Sequence, residues 1–154
     1  MRAVVEILIV DASDQDAALT LDSLRCAVPD ATVLRLTDGR QALHFICGTD
    51  GYMGRPGALP RLVLLELHMP GMDGIAVVKS LRAQPGMNEL PVVFWSSSSN
   101  PLFIEQALQA GASHYHVKPS TRDAYRAEIQ GIAQRWLHDP RRAPEPHSSQ
   151  RQSS

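Results

Sequence analysis

Five short apolar runs alternate along this chain with stretches whose apolar residues recur every three or four positions. The first run, Val4-Val5-Glu6-Ile7-Leu8-Ile9-Val10, reads as a strand. From Asp14 to Val28, the residues Ala17, Leu21, Leu24 and Val28 share one helical face, and Ser13 with Asp16 three positions on has the pattern of a capping box. Thr32-Val33-Leu34-Arg35-Leu36 is the second predicted strand. Asp38 is placed to cap a short helix carrying Ala42, Phe45 and Ile46, with Gly48 as its stop. Arg61-Leu62-Val63-Leu64-Leu65-Glu66 predicts a third strand. The turn Met69-Pro70-Gly71-Met72-Asp73-Gly74 follows it, with Asp73 as a cap, then a helix with Ile75, Val78 and Leu81 inward. Pro91-Val92-Val93-Phe94-Trp95 predicts the fourth strand. Asn100-Pro101 opens a helix with Phe103, Ile104, Ala107 and Leu108 inward and Gly111 at its end. His114-Tyr115-His116-Val117 is the fifth strand. A last helix opens at Ser120 or Thr121, with Tyr125, Ile129, Ile132, Ala133 and Trp136 along one side.

Strict β/α alternation implies an α/β fold, a doubly wound parallel sheet with helices on both faces. Strands one, three and four are nearly continuous apolar runs, as strands covered on both faces are, whereas strands two and five mix polar and apolar residues. The order 2-1-3-4-5, that of a flavodoxin-like sheet, puts those two at the edges. The dinucleotide-binding order would expose the wholly apolar third strand.

Composition narrows the class further. The chain has 154 residues, 44% of them hydrophobic and 20% charged, which suits one domain. The net charge of −1 points away from a nucleic-acid or membrane binder. Residues 1–138 carry the pattern of a domain. From Asp139 the Pro/Arg and then Ser/Gln-rich sequence has no apolar period and reads as a flexible tail, 139–154. The stretch from Thr49 to Pro60, with three glycines and two prolines, reads as a loop. Cys26 and Cys47 form no CxxC pair, and no segment has the length of a membrane helix or the pattern of a signal peptide. A reduced, cytoplasmic protein is the expectation.

In an open α/β sheet, sites form outside the carboxyl ends of the strands, at the switch point. The residues expected there are Asp11-Ala12-Ser13-Asp14, then Glu66 and His68, then the serines from Ser96 to Ser99, then Lys118. The first loop has no glycine and is acidic, so it suits a cation rather than a phosphate cradle. Asp11 and Glu66 on neighbouring strands repel each other unless a counter-charge intervenes. Lys118 is that charge, in a chain whose other basic residues are, Lys79 apart, all arginine. Asp14 and Asp16 read as support for the N-terminus of the first helix, with Asp14 the one that could swing toward the site. His68 and His116, with Asp11 and Glu66, could form a transition-metal site, although their spacing matches no standard motif.

Three blocks carry a family resemblance: Leu64-Leu65-Glu66-Leu67-His68-Met69-Pro70-Gly71-Met72-Asp73-Gly74, then Pro91-Val92-Val93-Phe94-Trp95-Ser96, then Gly111-Ala112-Ser113-His114-Tyr115-His116-Val117-Lys118-Pro119. Over residues 5 to 137 the chain resembles a response-regulator receiver domain of the chemotaxis-regulator type. Within that family it is most similar to the single-domain regulators paired with phytochrome-type histidine kinases, a likeness shared by the loop around Gly51-Tyr52 and by Trp136-Leu137. The resemblance places Glu66 at the phosphoacceptor position, Ser96 and Tyr115 at the two switch positions and Lys118 at the lysine of the pocket. It also places Asp11, Glu66 and His68 around a Mg²⁺ site, His68 through its backbone carbonyl rather than its side chain.

Two departures alter what the resemblance implies. The family carries an aspartate where this chain has Glu66, and a second acid where it has Ala12. Glu66 reaches about 1.5 Å farther than aspartate, and in-line phosphoryl transfer depends on positioning. Losing an acid at position 12 weakens the Mg²⁺ site. The expectation is therefore a degenerate, non-enzymatic receiver in two-component signalling. It is not phosphorylated at Glu66, which instead reaches Lys118, and it acts by protein contact. The alternatives are a receiver phosphorylated on Glu66 or a neighbouring acid, and a small metal-dependent hydrolase. The implied partners are a histidine kinase, phytochrome-type or another signalling protein, and a second copy. The copies would meet through the fourth helix, fifth strand and fifth helix, where Phe103, Tyr115, Tyr125 and Trp136 lie.

Overall fold

The computed structural model describes residues 5–48 and 59–138. Its elements run β1 (Ile7–Val10), α1 (Asp14–Ala27), β2 (Val33–Leu36), α2 (Gly39–Cys47), β3 (Leu62–Leu65), α3 (Gly74–Arg82), β4 (Val92–Ser96), α4 (Pro101–Ala110), β5 (His114–Val117) and α5 (Arg122–His138). The strands form one parallel sheet in the order β2-β1-β3-β4-β5. The two mixed-composition strands are at its edges, and every residue of β1, β3 and β4 is buried. The loop around Gly51-Tyr52 and the tail from Asp139 lie outside the described residues.

The pleat divides the apolar residues between two layers. Leu8, Val10, Val63, Leu65, Val92 and Phe94 pack under α2, α3 and α4. Ile7, Ile9, Leu62, Leu64, Val93 and Trp95 pack under α1 and α5. The helix ends follow the local chemistry. Asp38, Asp73 and Asn100 accept backbone N–H bonds at the starts of α2, α3 and α4, and Gly48 and Gly111 close α2 and α4 in the left-handed region. Arg82 locks the α2/α3/α4 layer from the side. Its guanidinium donates to the carbonyls of Gly111 (3.0 Å), Leu90 (2.9 Å) and Met87, which ties the end of α3 to the end of α4 and the start of β4.

Several expectations change. β1 begins at Ile7, later than the apolar run, and Glu6 ahead of it turns its side chain to Arg61 and to the Thr32 N–H. α5 opens as expected at Thr121, whose Oγ1 accepts from the Ala124 N–H as a cap ahead of the first helical residue, Arg122. On α1 the fully buried residues are Ala17, Thr20, Ser23 and Leu24, two of them polar, while Leu21 and Val28 pack against the core from partly buried positions. On α4 only Ala107 is fully buried; Leu108, expected inward, is 45% exposed. Tyr125 and Trp136, expected on a contact face, are core residues of the α1/α5 layer, because the i, i+4, i+7, i+11 stripe of α5 lies on the sheet.

Candidate functional site

The carboxyl ends of β1, β3 and β5 meet at the switch point, and each delivers one ionisable side chain there. Their backbones are hooked by neighbours: Asp11 N–H donates to the Leu36 carbonyl (3.1 Å), Glu66 N–H to Val10 (3.0 Å) and Lys118 N–H to Ser96 (2.7 Å). Arg35 grips the Asp11 carbonyl with two donors, at 3.0 and 2.8 Å. Beside Glu66, Gly74 lets α3 start close to the strand end. A Cβ there would lie 2.6 Å from both the Glu66 carbonyl oxygen and the Phe94 ring.

Lys118 is the centre of the site. Its ammonium donates all three of its hydrogens: to Asp11 Oδ2 at 2.9 Å, Asp16 Oδ2 at 2.8 Å and Glu66 Oε1 at 2.8 Å. The lysine, Asp11 and Glu66 side chains are buried, and Asp16 closes the mouth at 39% exposure. The other carboxylate oxygens are also engaged. Asp11 Oδ1 accepts from the Ser13 N–H (2.9 Å) and Glu66 Oε2 from the Leu67 N–H (2.7 Å). Burial disfavours the charged ammonium, but its bonds to Asp16, Glu66 and Asp11 outweigh that and hold the Lys118 pKa above the ordinary lysine value. Asp11 is shifted upward because burial outweighs its bonds to Lys118 and Ser13.

Asp16 was not expected in the pocket; Asp14 was the candidate to approach it. The geometry reverses the two. Asp14 is almost wholly exposed and pairs with Arg35 at 3.0 Å. Asp16 sits at the third helical position, where a capping-box acid returns to the cap N–H. Only half of that box forms. Ser13 Oγ accepts from the Asp16 N–H (3.2 Å), but the Ser13 N–H is already taken by Asp11, so the Asp16 carboxylate is free to reach Lys118. An acid three residues after a capping serine was the available signal, and it reads equally as a cap.

The remaining candidates lie elsewhere. Ser96 Oγ accepts from the Ser98 N–H (3.1 Å), and Tyr115 donates to the Ser98 carbonyl (2.8 Å) while stacking on Phe94. One loop residue, Ser98, thus joins Ser96 to Tyr115. His68 is exposed and meets the edge of Phe103, away from the acids. His116 is on the α5 side of the edge strand, bonded to Glu128 (2.9 Å) and stacked on His114. Among the described residues neither histidine joins Asp11 and Glu66: His68 is held against Phe103, and His116, within the strand rather than beyond its end as Lys118 is, is held by Glu128 of α5.

Among the described residues, the acids whose oxygens lie close enough to share a cation are Asp11, Asp16 and Glu66. Carboxylate oxygens suit Mg²⁺ or Mn²⁺. Ala12 adds no oxygen ligand, and the Lys118 ammonium already binds all three acids, so a metal would compete with it and bind weakly. No helix among the described residues is long and apolar enough to cross a membrane.

The family model described as "Response regulator receiver domain" matches residues 7–130. The chain is 29% identical over 132 residues to the response regulator Rcp1 of Synechocystis sp., a match covering 85% of this chain and 88% of that one. Among solved structures, the phosphorylated cyanobacterial phytochrome response regulator RcpA is similar with a TM-score of 0.80 and 25% identity, over 88% of this chain and 95% of that one. The Mn²⁺-bound form of Rcp1 is similar with a TM-score of 0.78 and 28% identity, over 85% and 93%.

Proposed function

This chain belongs to the response regulator receiver domain family, and from that membership we propose that it is a degenerate receiver, locked by its own lysine and acting through protein contact rather than phosphotransfer. The observation that carries the reading is the 2.8 Å bond from Lys118 to Glu66 within a ring of three acids. Glu66 stands at the phosphoacceptor position with a side chain longer by one methylene, about 1.5 Å. Phosphoryl transfer between oxygens relies on placement, and a displacement of that size removes much of it. A divalent cation at Asp11, Asp16 and Glu66 would neutralise phosphoryl charge; in this chain the ammonium meets the same oxygens first. The Glu66 carboxylate, reaching out to Lys118, puts negative charge where a phosphorylated aspartate would carry it.

Output then passes through the surface of α4 and β5. Leu102 is 56% exposed, Leu108 45% and Val117 38%, an apolar set that suits contact with a second copy. A histidine kinase, phytochrome-type by the names of the relatives, is the partner that this reading assigns.

Incubation with acetyl phosphate and Mg²⁺, followed by intact mass measurement, tests the core of the proposal. No mass gain is expected from the wild type, and gain of one phosphoryl group is expected from Glu66→Asp combined with Ala12→Asp. A phosphoryl group mapped to Glu66 in the wild type overturns it. For the dimer, sedimentation of Leu102→Asp/Leu108→Asp should show monomer at concentrations where the wild type is dimeric.

A further inference from the structure

The acid missing at position 12 has a counterpart one helical turn later, and a buried hydroxyl holds it there. Tyr125 Oη is bonded at once to Thr20 Oγ1 (2.7 Å), Trp95 Nε1 (2.9 Å) and the Asp16 carbonyl oxygen (3.2 Å). The directions follow from what each partner can do. A carbonyl only accepts, so the single Tyr125 proton goes to Asp16; an indole N–H only donates, so it and the Thr20 hydroxyl fill the two lone pairs of the tyrosine. All polar atoms of this hub are thereby satisfied. It joins α1, β4 and α5 directly behind the pocket. Tyr125 and Thr20 are buried, so the backbone at Asp16 can shift only by breaking bonds that water would not replace.

We propose that Asp16 takes over the role of the acid absent at position 12, that Tyr125 is its positioning residue, and that α5 is thereby coupled to the Lys118 ammonium. The inference rests on the reading of this pocket as lysine-locked and extends it. Asp16 supplies the third acceptor that saturates Lys118 and Tyr125 fixes the backbone of the turn that carries it, so a change at the pocket mouth is passed to α5 through one oxygen atom. Thr20, a polar residue on the inward face of α1, is explained as part of that hub.

The chain contains only two lysines, Lys79 and Lys118, and Lys79 is exposed. Lysine-¹⁵N labelling therefore gives two ammonium signals with a built-in reference, and proton exchange of each NH₃⁺ reads its hydrogen bonding. In the wild type the Lys118 signal should exchange far more slowly than that of Lys79. Asp16→Ala should speed exchange at Lys118 about tenfold, the scale of one charge-assisted hydrogen bond, with Lys79 unchanged. Adding Ala12→Asp to Asp16→Ala should restore slow exchange. Tyr125→Phe should speed it a few-fold with the Asp16 carboxylate intact; Thr20→Val serves the same arm if Tyr125→Phe does not fold. Unchanged exchange in Asp16→Ala overturns the role of Asp16. No restoration by Ala12→Asp overturns the substitution, and no effect of the hub variants overturns the positioning. The measurement contains no phosphate, so phosphorylation of Glu66, which would defeat the proposed function, leaves this result standing.

Discussion

The two layers that cover the sheet are built differently. Under α2, α3 and α4 the interior is apolar side chains throughout, closed at its edge by Arg82. Under α1 and α5 the interior carries the bonded set Thr20, Trp95 and Tyr125, and at its rim a pair of stacked histidines, His114 and His116. The pocket draws Asp11, Glu66 and Lys118 from strand ends between the layers, but its fourth charged member, Asp16, comes from α1 alone. The first layer therefore supplies stability without chemistry, while the second trades some apolar burial for hydrogen bonds that place a functional side chain. A buried polar network stabilises only when complete, so the second layer is the more specific and the more fragile.

The largest expected effect is at the seam. Lys118→Ala leaves three carboxylates facing one another without a cation and should cost about 3–5 kcal/mol in urea unfolding at pH 7. Without the ammonium, burial and the neighbouring Glu66 charge raise the folded-state pKa of Asp11 further above its unfolded value. The folded state then holds more protons as pH falls, so the variant should recover part of its lost stability toward pH 5. Leu81→Ala in the apolar layer should cost about 2–5 kcal/mol, yet leave Lys118 ammonium exchange unaltered, which separates packing from placement. Tyr125→Phe should cost less, about 1–3 kcal/mol, and alter that exchange; equal effects of the two variants on the pocket would erase the contrast between the layers.

The smallest effect concerns the histidines. Burial lowers the pKa of His114 and of His116 below the ordinary imidazole value; His116 and Arg135 add to the shift at His114, Arg135 adds to it at His116, and Glu128 opposes it at both. The unfolded chain thus binds protons at about pH 6.5 that the folded chain refuses. Stability should fall as pH drops through that value. The urea midpoint should be lower at pH 5.5 than at 7.5, and the difference should shrink in His114→Gln/His116→Gln. An unchanged difference in the double variant would assign the pH dependence to other groups.

Much of the molecule was legible in the chain. Alternating runs identified the strands, continuous against mixed composition ordered them, and Asp38, Asp73, Asn100, Gly48 and Gly111 marked helix ends through local bonds that need no tertiary partner. Asp11, Glu66 and Lys118 were identifiable because the ends of adjacent parallel strands must converge. Trp136 and Tyr125 were misplaced because an aromatic stripe on a helix does not say whether a sheet or a partner covers it. Leu108 failed in the opposite sense: α4 packs at the sheet edge, where there is too little surface to cover its whole apolar stripe.

The sequence by itself determined the sheet, its order and three of the four charges in the pocket, because periodicity and strand ends are local properties that topology then multiplies. Only the tertiary structure decided which acid completed the ring. Asp14 and Asp16 lie two residues apart on the same helical turn and look alike in the chain. Asp11 occupies the Ser13 N–H, Arg35 draws Asp14 outward and Tyr125 holds the Asp16 backbone, and these three contacts, each from a different part of the chain, turn one carboxylate to solvent and the other to Lys118.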